Sequence, residues 1–391
     1  MNIKNKTILV IIITLIITII VGASTKINDR KSFKKDGVLY ALTIDGKIAT
    51  SFPSKGLYKT TVSCENANGK WLYDDWKLSI ENVTGDVSCY IDFITISKTY
   101  LNSYVTSLAD TTQGTGKVVN ENGYRYEGKN PNNYIWFNNE YWRIIGVFDS
   151  ETHGQSGKNL VKIIRNDTLG GLVWNTTISS DWATSTLKLL LNDSYYNAQD
   201  GTDSGYCYGY STSIKTNCDY TKKGIQSGYR SMIANVTWYL GGISSNEEVV
   251  STYYSYERGT AVYSGNSTET EGYIGLMYPS DYGYSVLSNT CSRSTKLNSY
   301  YSYSCSSASW LYNKLSEWLL TGWSDRNSTL FGLASNGKLL SYYSGGLDST
   351  YSNVNFASTN GYNVRPVLYL DSSVYVIDGD GSLLNPYIIG M

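Results

Sequence analysis

Residues 134–148 read YIWFNNEYWRIIGVF, and no other stretch constrains the fold as strongly. Two aromatic and aliphatic runs flank Asn138 and Asn139, and asparagine tolerates the positive φ of a two-residue hairpin turn. The second run, 140–148, carries Arg143 as its only interior charge. Such a strand belongs in the middle of a sheet, covered on both faces. Residues 161–165 (VKIIR) can then return as an antiparallel neighbour. The pattern announces a globular core and no reaction.

Around that core, 391 residues leave room for two or three domains. A net charge of −1 with 17% charged residues gives no case for nucleic acid as a partner. Tyrosine is the outlier, at 37 against 7 phenylalanines. Tyr with Ser, Gly and Asn makes adaptable binding surfaces, because the ring offers area and a hydroxyl at low entropic cost. The codon bias of an AT-rich genome raises the same residues.

The N-terminus carries a targeting pattern. Lys4 and Lys6 precede an uncharged, isoleucine-rich run at 7–23. As a helix it would span about 25 Å at about 1.5 Å per residue, short for a bilayer core of about 30 Å. Val21, Gly22 and Ala23 offer the small-residue pattern of a cleavage site. Residues 1–25 are therefore expected as a cleaved signal peptide or a membrane anchor, with the protein secreted or held at the surface. The basic run from Lys26 to Lys35 opposes an outward-facing anchor.

Six cysteines in an exported chain imply a disulfide framework. They fall into close pairs: Cys64 with Cys89, Cys207 with Cys218, Cys291 with Cys305. Each is expected to bridge locally. Residues 36–97 alternate short apolar runs with turns such as Asp45-Gly46 and suggest a small all-β sandwich containing Trp71 and Trp76. A helix at 97–108 and a polar loop at 110–116 connect it to a larger domain, 98–391. There, leucines at 187, 190 and 191 recur at helical spacing, with Asp181 or Ser185 as N-cap. Helices are also expected at 225–236 and 310–320, and a surface excursion at 246–266. A strand turning at Pro279 is expected at 273–285, and closing strands at 329–334, 339–344, 363–370 and 374–377.

Candidates for chemistry are few. His153 is the only histidine and lies in a Gly/Ser stretch that reads as an exposed loop, so neither a nucleophilic triad nor histidine metal ligation is expected. Residues 378–381 (DGDG) begin like a calcium loop but lack its twelfth-position carboxylate, and read as a turn. Glu247, Glu248, Glu257 and Glu317 could supply a hydrolytic pair only if two of them converge. Arg143 and Arg365 lie in apolar strands and need carboxylate or carbonyl partners. No metal, cofactor or catalytic residue is assigned.

A family resemblance rests on ordered motifs: Trp142-Arg143-Ile144-Ile145; Trp182, Thr184, Ser185 and Leu187 followed by Leu190-Leu191-Asn192-Asp193, Tyr195 and Tyr196; residues 332–337; and Val364-Arg365-Pro366-Val367-Leu368 with Leu370. Over about 125–391 the chain resembles an uncharacterised family of exported bacterial domains. That family is similar to the C-type-lectin-like fold of formylglycine-generating enzymes and Fibrobacter major-domain proteins. Where relatives read close to Trp-Trp-Leu-Arg-Ser, this chain has Glu317-Trp318-Leu319-Leu320-Thr321, so the arginine's role is lost. The resemblance implies an α+β fold, C-type-lectin-like, and a surface location; it does not imply formylglycine chemistry. The expected function is binding of extracellular glycan or protein, with a structural envelope role or a glycan hydrolase as rivals. The long loops at 201–221, 246–266 and 281–303 should carry recognition. Tyr278, Asp281, Tyr282, Tyr284 and Trp323 are its candidate contacts.

Overall fold

Asn138 and Asn139 both take left-handed φ, 58° and 59°, so the hairpin at their position forms with the turn that matches strand twist. Tyr134–Phe137 and Glu140–Phe148 pair across it, Phe137 opposite Glu140 and Tyr134 opposite Arg143. A computed structural model describes residues 32–35, 38–73, 75–177, 179–209, 215–302, 304–343 and 362–391, with backbone alone at 32–35 and 342–343. The hydrophobic run at 7–23 lies outside the described residues. Among those described, no helix is long and apolar enough to cross a membrane. They fall into two compact units, divided between Lys98 and Thr99.

The smaller unit is all-β. Val38–Ile44 pairs antiparallel with Ser32–Lys35 and with Lys47–Ala49, and parallel with Ser88–Thr95. Tyr58–Glu65 closes this five-stranded sheet, antiparallel to Ser88–Thr95. Asn68–Leu72 and Lys77–Glu81 form a separate hairpin. One mixed sheet and one hairpin thus replace the succession of hairpins that the turn spacing suggests. Tyr58–Glu65 alternates inward and outward along its whole length. Trp71 packs edge-on to Phe93 at 4.8 Å, and Trp76 lies beside them, its Nε1 donating to the Pro53 carbonyl at 2.7 Å. Cys64 and Cys89 sit directly opposite on neighbouring strands and are bridged.

The larger unit is a mixed α+β structure, rich in sheet and short of helix. Its ten-stranded sheet centres on Glu140–Phe148. One edge of that strand pairs first with Tyr134–Phe137 and then with Tyr124–Gly128; the other pairs with Leu160–Arg165. Leu160–Arg165, buried throughout, pairs in turn with Val367–Leu370. The final strand, Tyr387–Gly390, runs parallel to Tyr134–Phe137 and draws the C-terminus into the sheet. The bridges Cys207–Cys218 and Cys291–Cys305 complete the three local pairs.

Several local expectations change. Glu317–Gly322 is a strand, because a strand buried on both faces leaves the continuous apolar run that also marks a buried helix. Residues 225–236 keep one helical turn, Ser227–Arg230, before the strand Val236–Tyr239. The excursion at 246–266 contains the helix Val250–Glu257, with Val250, Tyr253 and Glu257 buried. Pro279 starts the helix Pro279–Tyr284 instead of ending a strand; its missing N–H is no loss at a helix N-terminus. The connector at 98–133 holds the helix Leu101–Ser107 and two sheet strands, Gly116–Asn120 and Tyr124–Gly128.

Replacing Cys64 and Cys89 with serine is expected to cost the smaller unit about 3 kcal/mol, from lost loop-closure constraint. Calorimetry of the full chain should show its transition falling while that of the larger unit stays.

Candidate functional site

The helix Pro279–Tyr284 follows from its sequence: proline at the first position, and Asp281 at the third accepting from the Tyr278 N–H at 3.0 Å. All six of its residues are buried. Asp281 lies 0% exposed at its side chain between Arg125, 3.1 Å from Oδ1, and Lys162, whose Nζ donates to Oδ2. These cations hold its carboxyl below the usual carboxylate range, against burial that pushes it upward. Lys162 is enclosed by the rings of Tyr278, Tyr369, Trp238 and Phe148 at 4.5–5.8 Å. Burial pulls its ammonium down to about 8, with Asp281 opposing. Beside it, Glu257 accepts from the backbone N–H and the hydroxyl of Ser280, and pairs with Arg258 at 3.1 Å. Burial pushes the Glu257 carboxyl up to about 7, against Arg258 and Ser280.

The residues expected to line a binding surface are therefore interior. Tyr278 donates to the Tyr239 carbonyl and Tyr282 to the Gly337 carbonyl, both at 2.8 Å. The Tyr284 hydroxyl accepts from Asn122 Nδ2 at 2.7 Å. With their rings inside and their hydroxyls taken, Tyr278, Asp281, Tyr282 and Tyr284 brace the core and present no contact surface. His153 is likewise buried, on the turn Ser150–His153, with Nε2 donating to the Phe148 carbonyl at 3.1 Å. The exposed loop expected for it does not form. Glu317 makes two bonds to Arg365, at 2.6 and 2.8 Å, and Arg365 also reaches the Leu311 carbonyl. Arg143 donates to Asn133 Oδ1 and the Pro131 carbonyl, and lies over Tyr134 and Trp310. Residues 378–381 form the turn before the last strand.

Trp323 alone among the candidate contacts reaches a cleft. Four segments meet there: the loop before the helix Thr186–Leu190, the Leu240–Gly242 corner, residues 262–267 and the end of Glu317–Gly322. The cleft holds about 270 Å³ of space open to solvent. Gly242 allows this convergence, since a Cβ there would lie 2.2 Å from the Gly322 carbonyl oxygen. Asp181 caps the turn that leads to the helix, accepting from the Ala183 N–H and the Thr184 hydroxyl, each at 3.1 Å. Ser267 donates to the same carboxylate at 3.4 Å, and Asn266 donates to the Ser180 hydroxyl at 3.0 Å.

Two features of this wall stand out chemically. The indole N–H groups of Trp182 and Trp323 are buried and meet no hydrogen-bond acceptor among the described residues, although such donors usually find partners. Tyr263, by contrast, is 36% exposed on the cleft. Among the described residues, no three His, Cys, Asp or Glu side chains group to hold a metal ion. Sequence reasoning placed Asp181 and Trp182 at a helix entrance and missed Ser180, Tyr263, Asn266 and Ser267. Only the Trp-Asp adjacency hinted at them. No family model, curated protein or solved structure matches the chain.

Two outcomes are expected from the buried charges. Asp281→Asn strands two buried cations and should destabilise the larger unit by about 3–5 kcal/mol in denaturant unfolding. Glu257 stays protonated in the fold where an unfolded glutamate has ionised. Its stabilisation is thus fully present below about 4.5 and lost as pH rises through about 7. Relative to Glu257→Gln, the wild type should lose on the order of 2–3 kcal/mol across that window.

Proposed function

We propose that residues 99–391 form a recognition domain of an exported bacterial protein, C-type-lectin-like in fold, that binds extracellular glycan or protein. The all-β unit serves as its spacer, and residues 7–23 as a signal or anchor. Three disulfides fit an oxidising compartment outside the cytoplasm. The motif order around Trp142, Trp182 and Arg365 supports the fold reading.

The observation that carries the binding role is the cleft. It joins an exposed aromatic ring, convergent hydroxyl, amide and carboxylate groups, and two indole donors without acceptors. Convergent polar groups in a partly apolar concavity are the ordinary construction of a ligand site. Asp181 is the one carboxylate among its lining residues, whereas paired-carboxylate hydrolysis needs two across a scissile bond. Binding without turnover fits this arrangement.

A glycan and host-protein array probed with the ectodomain from residue 36 onward tests the role. Specific binding is expected, and Tyr263→Ala should abolish it while leaving the melting temperature within a degree or two, as for most exposed substitutions. An array with no specific binder would leave a structural envelope role. Loss of binding only through unfolding would remove the cleft from the account.

A further inference from the structure

We propose that the cleft takes a neutral, hydroxyl-bearing ring, a single hexopyranose unit at the end of a glycan, in preference to an acidic sugar or a peptide. This rests on reading the cleft as the ligand site. The argument begins with the demands of the wall. The Trp182 and Trp323 indoles can only donate, and both lack an acceptor among the described residues. Asp181, when ionised, can only accept. Its two oxygens offer about four lone-pair directions, and Ala183, Thr184 and Ser267 use three. An occupant must therefore bring acceptors to one part of the wall and a donor to another. A hydroxyl is both at once, and a ring bearing several of them meets both needs without a charge of its own.

Charge points the same way. Asp181 is the only ionisable carboxyl or amine in the lining, so a uronate, sialate or phosphate would face a carboxylate with no lining cation to offset it. Like charges brought together in a partly desolvated site are strongly disfavoured. Tyr263 supplies what the polar wall lacks. Its exposed ring, on the rim, can lie against the C–H face of a pyranose and remove apolar area from water. Size limits the occupant. A space of about 270 Å³, part of it open solvent, lies below the pockets of roughly 300–1,000 Å³ that enclose drug-sized ligands. One ring fits; an extended segment of chain would project into solvent.

Isothermal titration calorimetry of the full ectodomain against methyl glucoside, galactoside and mannoside, with methyl glucuronide and sialic acid alongside, decides the matter. At least one neutral glycoside should bind, and tenfold or more above either acid. Tyr263→Ala and Asp181→Asn should each weaken it at least tenfold, with unfolding midpoints of both variants measured in parallel. Preference for an acidic sugar would overturn the inference and leave the recognition role standing. So would an array hit on protein whose binding survives saturating neutral glycoside. If neither the sugars nor the array gives binding sensitive to Tyr263, the recognition reading itself fails.

Discussion

Asp281 is the residue on which the larger unit depends. Its carboxylate is shared by Lys162 from one strand of the sheet and Arg125 from another, while its own helix start donates through the Tyr278 N–H. Three donors on one buried anion make desolvation tolerable, and no one of them can be withdrawn without leaving charge in an apolar interior. The aromatic rings around Lys162 add face-on attraction to the ammonium. Glu257 and Ser280 tie the preceding helix to the same point. Two helices and two strands are thus registered against one another by a few atoms, which the surrounding hydrocarbon alone would not orient.

A second set of buried charges acts on the other residues of the sheet. Arg365 is held in two bonds by Glu317, and Arg143 by neutral oxygens under two aromatic rings. The planar guanidinium suits both arrangements, donating in its plane and stacking on its faces. Glu317 opens the strand whose far end, at Gly322, borders the cleft. The recognition surface is therefore built partly on strand and helix ends fixed by the core, which keeps low the cost of ordering it around a ligand.

Much of the scaffold is legible in the sequence because it rests on local rules. The Asn138–Asn139 turn, the strands Val38–Ile44 and Tyr58–Glu65 and the Ser185 cap all follow from residues within reach of each other. The local disulfides belong to the same class. Errors arise where tertiary burial overrides periodicity. A doubly buried strand such as Glu317–Gly322 carries no alternation to separate it from a helix. The tyrosines at 278, 282 and 284 look like a recognition loop because tyrosine is amphipathic, yet each buries its ring and satisfies its hydroxyl inside. The cleft brings Ser180 and Asp181 beside residues 266–267 and Trp323. Separations of that order have no signature in a single chain.

The most direct measurement is a titration of the ectodomain, labelled with nitrogen-15 at its tryptophan indoles, with a neutral methyl hexopyranoside. The protein has ten tryptophans. Trp182 and Trp323 alone have donors both buried without acceptors and placed on the cleft. Saturable shifts are expected in their two signals, identified by the spectra of Trp182→Phe and Trp323→Phe, with the other eight unmoved. Shifts confined to other indoles, or none at saturating sugar, would contradict a ligand site in this cleft.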